Sequence, residues 1–264
     1  MFLSLVAAAF IVGIVVGLTG VGGAALVTPM LIFLFHIPGS IAIGSDIVSA
    51  VLMKVVGGSK HYQQKTVDMQ VVKWMLCGSI PGSVSGIGLL FLAKHLQFES
   101  LDPILLRLVG AVLVFISVIA LTALALRLFA PKFKLPTYPP VDLDTARGRL
   151  IVVGICYLLG AILGLTSVGS GSLFALVLIG AFRLEARKLV GTDIIHAAIL
   201  LLVTAVGHLG LGTVNWNLVV PIWIGTVPGV LVGAHLCKIV NRTALRAGLY
   251  VILFTVGWQL ANHH

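Results

Sequence analysis

Apolar residues occur along this chain in long continuous runs, and short polar stretches separate these runs. Ten apolar runs are present, at 2–18, 24–35, 41–57, 71–93, 104–129, 150–166, 172–182, 189–206, 217–237 and 245–261. A helix of about 17 or more apolar residues is long enough to cross the hydrocarbon core of a bilayer. Most of the runs reach that length, so the pattern predicts an all-α polytopic membrane protein.

Two of the runs, 24–35 and 172–182, are too short to span a membrane. Each follows a longer run after a glycine-rich break, and apolar segments of this length are typically re-entrant or buried. We therefore expect two helical hairpins, at 2–35 and 150–182, which are broken or re-entrant. The run at 2–18 lacks a preceding basic residue and a small-residue cleavage site, so we interpret it as a membrane segment and not a signal peptide.

The composition agrees with a membrane protein and excludes several other classes. Hydrophobic residues make up 59% of the 264 residues and charged residues only 9%, whereas soluble domains contain about 25% charged residues. A soluble enzyme and a disordered chain are therefore poor fits. The 17 basic and 8 acidic residues give a formal charge of +9. In a membrane protein such an excess first indicates topology, so we expect a lipid bilayer and no nucleic acid as partner.

The two halves of the chain are related by an internal repeat. A shift of 147 residues aligns 13–86 with 160–233 without a gap, and the rarer residues that match are Asp46 with Asp193, His61 with His208 and Pro81 with Pro228. The repeat predicts a first unit at 1–129, a linker at 130–149 and a second unit at 150–262. The units have equivalent parts: hairpin 2–35 with spans 41–57, 71–93 and 104–129, and hairpin 150–182 with spans 189–206, 217–237 and 245–261.

Three spans per unit are an odd number of crossings, so the second unit starts on the opposite face and the repeats are inverted. The charges favour the same arrangement: 36–40 has no Lys or Arg where 183–188 has three bases, and 59–73 has three lysines where 207–217 has none. The positive-inside rule then predicts that the linker is cytoplasmic and both termini lie outside. We expect the membrane to be a prokaryotic inner membrane. Fourteen of the 17 bases fall on the linker side: Lys60, Lys65, Lys73, Arg127, Lys132, Lys134, Arg147, Arg149, Arg183, Arg187, Lys188, Lys238, Arg242 and Arg246.

The two glycine-rich breaks, GLTGVGG at 17–23 and GLTSVGSGS at 164–172, are candidate anion sites. Glycine ends an apolar helix easily, and the next helix begins with free N–H groups and a positive dipole end. Inverted-repeat transporters place such half-helix ends near the membrane midplane. The predicted substrate-binding residues are Thr19, Gly20, Val21, Gly22, Gly23, Thr166, Ser167, Val168, Gly169, Ser170, Gly171 and Ser172.

Helix packing is the alternative explanation for these glycines. We assign the pairs Gly13 with Gly17 and Gly160 with Gly164, each four residues apart, to close helix packing. The breaks themselves contain more glycine and hydroxyl residues than packing requires. They therefore remain the predicted substrate site.

Asp46, Lys54 and Asp193 lie inside the apolar runs, away from their ends, and are candidates for substrate attraction or ion coupling. Asp46 and Lys54 are eight residues apart and share a helix face, so Lys54 would pair with Asp46 or attract the substrate. His196 follows Asp193 by three residues and is a candidate proton-relay partner. The structural alternatives are that both aspartates cap helix N-termini and that Lys54 extends to the cytoplasmic interface.

Two pairs of motifs resemble the TauE/SafE family of sulfite exporter-like membrane permeases. They are GLTGVGGAALVTPML followed by IGSDIVSA, and GLTSVGSGSL followed by VGTDIIHA. The resemblance covers nearly the whole chain. In the second half Ala175 and Leu176 replace the Thr-Pro pair of the first half, and Ser170 replaces a glycine. The resemblance implies transport of sulfite or a small organosulfonate, whereas the residue pattern alone predicts only a small anion.

The sequence therefore favours a secondary anion transporter that works by alternating access, coupled to a proton or another cation. It has no phosphate-binding loop for ATP, and we expect no cofactor, no metal and no enzymatic activity. One alternative is an intramembrane serine hydrolase that uses Ser170 or Ser172 with His196 or His208; another is a passive anion channel. The cysteines, Cys77, Cys156 and Cys237, lack metal-site spacing and are expected to be small apolar core residues.

Overall fold

The computed structural model describes residues 2–19, 23–96, 101–129, 141–182, 184–236 and 242–262. These ranges contain ten helices and no strand, so the predicted all-α class is confirmed. Each predicted apolar run coincides with a helix. The helices are α1 Phe2–Thr19, α2 Ala24–Phe35, α3 Gly39–Gln63, α4 Met69–His95, α5 Leu101–Phe129, α6 Ala146–Thr166, α7 Leu173–Phe182, α8 Ala186–Leu211, α9 Trp216–Leu236 and α10 Arg242–Ala261.

Seven helices in the described ranges are long and apolar enough to cross a membrane: α1, α3, α4, α5, α6, α8 and α9. The helices α2 and α7 have 12 and 10 residues and are too short to span, as their sequences predict. In α10 the apolar stretch Ala247–Ala261 is also shorter than a span. Large apolar side chains such as Leu89 and Phe115 are more than half exposed, as expected for a surface that faces lipid.

The cysteines behave in two ways. Cys156 on α6 is buried, as predicted, whereas Cys77 on α4 is exposed on the outside of the bundle. The prediction of a core position is therefore wrong for Cys77, because an apolar face toward lipid and one toward the core have the same composition in a membrane helix. Cys237 lies outside the described residues.

The helices pack in four main pairs, which are α1 with α9, α4 with α6, α5 with α10 and α3 with α8. The two arms of each predicted hairpin, α1 with α2 and α6 with α7, contact each other over a much smaller surface. The long first arm of each hairpin therefore packs mainly on a helix from the other half of the chain. The short second arm instead packs mainly on the helix that follows it, α2 on α3 and α7 on α8.

Glycines allow these helix pairs to approach closely. A Cβ atom at Gly225, Gly229 or Gly233 of α9 would overlap backbone atoms of α1, and one at Gly78, Gly82 or Gly86 of α4 would overlap backbone atoms of α6. The two sets lie 147 residues apart. The predicted packing role of the paired glycines is confirmed. A Cβ at Gly13 would lie 2.7 Å from the Thr226 carbonyl oxygen, and the Cα of Gly17 lies 3.0 Å from a Cβ built at Gly233. A Cβ at Gly164 would lie 2.6 Å from the Ser83 carbonyl oxygen, and a Cβ at Gly160 would overlap the Ser79 carbonyl oxygen.

The Gly160→Ala variant should lower the melting temperature of the purified protein, because the added methyl group would push α6 away from the Ser79 backbone. Overpacking of this kind costs about 1–3 kcal/mol. Gly154→Ala is the matched control on the same helix, since its added methyl group meets nothing within 4 Å. The control should keep or slightly raise the melting temperature, as alanine favours a helix. Equal effects in thermal unfolding of the two variants would contradict this packing.

The turns that follow α3 and α8 have the same hydrogen bonds. His61 Nδ1 lies 2.9 Å from Thr66 Oγ1, and the Thr66 hydroxyl also lies 3.0 Å from the His61 carbonyl oxygen. In the other half, His208 Nδ1 lies 2.9 Å from Thr213 Oγ1, and this hydroxyl lies 3.1 Å from the His208 carbonyl oxygen. The histidines that match in the sequence repeat therefore close equivalent turns.

Each of these turns is also fixed to the other long helix by a hydrogen bond. The Asp68 N–H donates to Thr192 Oγ1 at 2.9 Å, and in the other half the Asn215 N–H donates to Ser45 Oγ at 3.0 Å. The Asp68 carboxylate forms an ion pair with Lys188 at 3.0 Å. Burial raises the pKa of Asp68, but the hydrogen bond and charge of Lys188 and nearby backbone N–H groups outweigh it, so this pKa lies below its ordinary value. The start of α8 is thereby held against the turn before α4.

Candidate functional site

The second glycine-rich break is a tight turn between α6 and α7. The helix α6 ends at Thr166, and Ser167 adopts the left-handed conformation with φ 63° while its N–H donates to the Leu163 carbonyl oxygen. Gly169 also has a positive φ, of 112°, which favours glycine because a side chain would be strained there. The chain then enters α7 at Leu173, so the predicted helix break is confirmed.

The first break leads into the N-terminus of α2. Gly20, Val21 and Gly22, which belong to the predicted site, lie outside the described residues. Gly23 precedes the first residue of α2, and its carbonyl oxygen accepts the N–H groups of Leu26 and Val27, both at 2.9 Å. The N–H groups of the first turn of a helix have no partner within that helix. The predicted helix start after the break is thus in place.

Asp46 joins the two breaks. It is buried within α3, with 1% of its surface exposed, and its Oδ2 accepts the hydroxyl of Thr28 at 2.6 Å and that of Ser167 at 2.8 Å. Thr28 lies on α2 after the first break, and Ser167 lies in the second break. The capping explanation for Asp46 is wrong, because α3 begins at Gly39 and Asp46 lies well inside it. Two short bonds to a carboxylate are strong ones, so Asp46 holds both hairpins against α3.

Lys54 is on α3, and its side chain lies between α8 and the second break. Its Nζ is 3.7 Å from Asp193 Oδ2 and 3.4 Å from the Ser170 carbonyl oxygen, and its side chain is only 17% exposed. Lys54 therefore extends neither to the cytoplasmic interface nor into an ion pair with Asp46, which are two of the predicted alternatives. Asp193 also lies well inside its helix, since α8 begins at Ala186, so the capping explanation is wrong for this residue too.

The two repeat-related aspartates are stabilised by different partners. Asp46 has hydroxyl donors, whereas Asp193 has the ammonium group of Lys54. The residue equivalent to Thr28 in the second half is Ala175, and the residue equivalent to Lys54 is Leu201. A buried carboxylate needs hydrogen bonds or a cation, so Lys54 provides at Asp193 what hydroxyls provide at Asp46. The Asp193 Oδ1 atom has no hydrogen-bond partner among the described residues.

His196 is fully buried one helical turn after Asp193. Its Nε2 lies 2.9 Å from Ser79 Oγ on α4, and its ring packs against Phe174 of α7 at a centroid distance of 4.5 Å. Its Nδ1 has no partner within the described part of the chain. The predicted relay residue is therefore close in sequence and space to the ion pair, with one ring nitrogen available.

A small cavity of about 30 Å³ lies where the two breaks meet. This volume holds about one water molecule, so the site is closed here and must open to admit a larger anion. The cavity brings residues of both breaks to the buried charges. Its lining includes Gly23, Val27, Asp46, Met53, Lys54 and Ser170.

Several other predicted site residues among those that the structure describes do not line this cavity. The hydroxyls of Thr19 and Thr166 donate to carbonyl oxygens four residues earlier in their own helices, both at 2.7 Å. Such bonds satisfy a hydroxyl within an apolar helix. The residues of the second break that do not line the cavity are Thr166, Ser167, Val168, Gly169, Gly171 and Ser172.

Thr28 and Ser79 were not among the predicted site residues, although they bind Asp46 and His196. Both are hydroxyl residues within apolar helices and both are completely buried. A serine or threonine in the middle of a membrane run is the sequence signal that could have made them candidates, but Ser117 has the same signal and bonds only to its own helix among the described contacts.

The groups proposed for a serine hydrolase are not assembled. His196 is bound to Ser79, and His208 binds Thr213 and the Gly164 carbonyl oxygen, the latter at 3.0 Å. In the described part of the chain, neither Ser170 nor Ser172 has a hydrogen bond to either histidine. A serine nucleophile requires such a base within reach, so the geometry does not support this alternative.

Known proteins are similar over the whole chain. A sequence profile of the family described as "Sulfite exporter TauE/SafE" matches residues 5–260. "Probable membrane transporter protein YjnA" of Bacillus subtilis (strain 168) is 38% identical over 263 residues, which are 98% of this chain and 100% of that protein. "Probable membrane transporter protein YdhB" of the same organism is 28% identical over 242 residues, covering 92% and 93%. No solved structure is significantly similar. The chain is an integral, multi-pass membrane transporter that belongs to the sulfite exporter TauE/SafE family.

Proposed function

We propose that this chain is a secondary transporter of small anions, which binds its substrate where the two helix breaks meet. The observation that carries the proposal is the buried Lys54, which reaches the second break and lines the same cavity as the N-terminus of α2. An ammonium group and a helix N-terminus both attract an anion. The family description adds sulfite as the first substrate to test, with small organosulfonates as related anions.

The buried charges support coupling to a cation. Asp46, Lys54 and Asp193 sum to one negative charge when all three are ionised. Two like charges 4 Å apart repel by about 4 kcal/mol at the effective dielectric constant of a protein, so an entering anion needs an accompanying positive charge. In the proposed cycle the anion takes Lys54 away from Asp193, and a proton enters with the anion to neutralise Asp193. His196, one turn away, is the proposed relay.

Alternating access is the proposed mechanism, with the two units as inverted repeats. Support comes from contacts that recur 147 residues apart: α1 packs on α9 as α6 packs on α4, and the turns of His61 and His208 have the same bonds. A site with room for about one water also suits a carrier that must close around its substrate. The charge pattern adds a cytoplasmic linker and external termini to this proposal. We also propose that the membrane is a prokaryotic inner membrane.

Sulfite or a small sulfonate should raise the melting temperature of the purified protein, whereas a cation of the same concentration should not. A ligand of the native state stabilises it by about 2.7 kcal/mol at 100 times its Kd. Ser167→Ala should weaken the anion about tenfold, since it loosens the second break from Asp46. Ser117→Ala is the control, because Ser117 is a buried serine on α5 that bonds only to its own helix among the described contacts. If no anion stabilises the protein, or if both variants respond alike, the site assignment is wrong.

A further inference from the structure

A second and larger cavity, of about 280 Å³, lies at one end of the bundle. It is formed where α3 and α5 begin and where α4 and α8 end. Most of its wall is aliphatic and consists of Ile41, Ile43, Leu90, Leu101, Leu105 and Leu211. It shares no lining residue with the small cavity at the helix breaks. The charge pattern predicts that this end of the bundle faces the outside.

Lys94 supplies the one full charge among the described residues that line this cavity. Its Nζ donates to the Leu211 carbonyl oxygen at 2.7 Å, and no carboxylate within the described ranges forms an ion pair with it. An ammonium group has three donors, so two remain for another acceptor. The Asp102 carboxylate nearby is engaged by the Ser40 N–H at 2.9 Å. Among the described residues, the cavity therefore combines a cation that has no ion-pair partner with an aliphatic interior.

We propose that this cavity binds an amphiphilic anion, with its charged head at Lys94 and its aliphatic chain against the leucine and isoleucine side chains. A pocket of this kind fixes a ligand through a few polar groups and gains affinity from its apolar wall. An apolar cavity of about 150 Å³ accommodates benzene, so this one holds on the order of ten non-hydrogen atoms. A small inorganic anion would lose its hydration against this wall without new partners, which makes this site different from the transport site.

The position of the cavity connects it to the second break. His208 lines the cavity, and its Nε2 lies 3.0 Å from the carbonyl oxygen of Gly164, just before α6 ends. An occupant would therefore contact a side chain that is bonded to the break. The ligand can come from two sources that share this chemistry, a free alkyl sulfonate or carboxylate, or an anionic lipid with one chain inserted.

The proposal is tested by measuring the binding of methanesulfonate, butanesulfonate and octanesulfonate to the protein in phosphatidylcholine nanodiscs. Empty nanodiscs measure the sulfonate that partitions into the lipid alone. The affinity should rise about fourfold for each CH₂ group that is buried. Lys94→Gln should weaken octanesulfonate at least tenfold, and Leu101→Trp, which fills the cavity, should remove the dependence on chain length. Lys73→Gln, at the opposite end of α4, is the matched control and should bind as the wild type does.

The two sources are separated by repeating the titration in phosphatidylglycerol nanodiscs. Two results together identify a lipid occupant. The affinity for octanesulfonate is weaker in phosphatidylglycerol, and phosphatidylglycerol copurifies with the wild type but not with Leu101→Trp. An unchanged affinity identifies a free organic anion, and both results support the amphiphilic class. Equal affinities for methanesulfonate and octanesulfonate, or wild-type binding by both cavity variants, would overturn the proposal. Ser167→Ala should leave octanesulfonate binding intact. A failure of the proposed transport site can therefore be distinguished from a failure of this cavity.

Discussion

Replacing Lys54 with glutamine should reduce the initial rate of anion uptake into proteoliposomes at least ~100-fold, which corresponds to about 2.7 kcal/mol. Lys54 is the cation that reaches the second break, and without it the proposed site retains two carboxylates and no counter-charge. The variant should also be less stable by about 3–5 kcal/mol, because it leaves Asp193 buried without its partner. Uptake of radiolabelled sulfite and thermal unfolding measure the two effects separately.

The Lys54→Gln/Asp193→Asn double variant separates transport from folding. It removes both charges of the ion pair, so its stability should return most of the way to that of the wild type. Its transport should stay low, because the substrate still lacks its counter-charge. Lys65→Gln, on an exposed turn, controls for the loss of one positive charge. If the double variant transports at the wild-type rate, Lys54 serves only to neutralise Asp193.

Asp193→Asn should abolish the stimulation of uptake by an inward proton gradient. In the wild type, one proton moved with each anion would raise accumulation about tenfold per unit of pH difference, since one unit is worth about 1.36 kcal/mol. Asp193 is the proposed proton carrier because Lys54 leaves it when the anion binds and its Oδ1 has no partner among the described residues. An asparagine cannot take up that proton, so accumulation should become independent of the gradient.

Asp46→Asn is the matched control for this measurement. Asp46 is held by two hydroxyl donors and ties the hairpins to α3, so its loss should lower the stability and the rate of uptake. The ratio of uptake with and without the gradient should stay as in the wild type. If gradient dependence survives in Asp193→Asn but disappears in Asp46→Asn, the proton is carried by Asp46 and the proposal for Asp193 is wrong.

The helices were predictable because bilayer thickness sets the length of apolar runs. The bounds of α2, Ala24–Phe35, agree with the predicted run, as both ends are marked by glycine or polar residues. The starts of α3 and α8 were less accurate. The helix α8 begins at Ala186 and continues through Arg187 and Lys188, which hydropathy excludes from an apolar run. This error made Asp193 look closer to a helix start than it is.

The partners of the helices could not be predicted in the same way. In a membrane helix the lipid-facing and protein-facing sides are both apolar, so neither the packing of α1 on α9 nor the exposure of Cys77 follows from hydropathy. Spacing within one helix did predict that Asp46 and Lys54 share a face, and both residues line the small cavity. It could not show that Lys54 pairs with Asp193, because that contact joins two halves of the chain.

The most direct test of the account is uptake of radiolabelled sulfite by the wild-type protein in proteoliposomes under an imposed pH gradient, with sulfoacetate and chloride as competitors. We predict saturable uptake that an inward proton gradient stimulates and that the small sulfonate inhibits more strongly than chloride does. Protein-independent uptake for every anion tested, or a steady single-channel conductance in planar bilayers, would contradict a proton-coupled anion carrier.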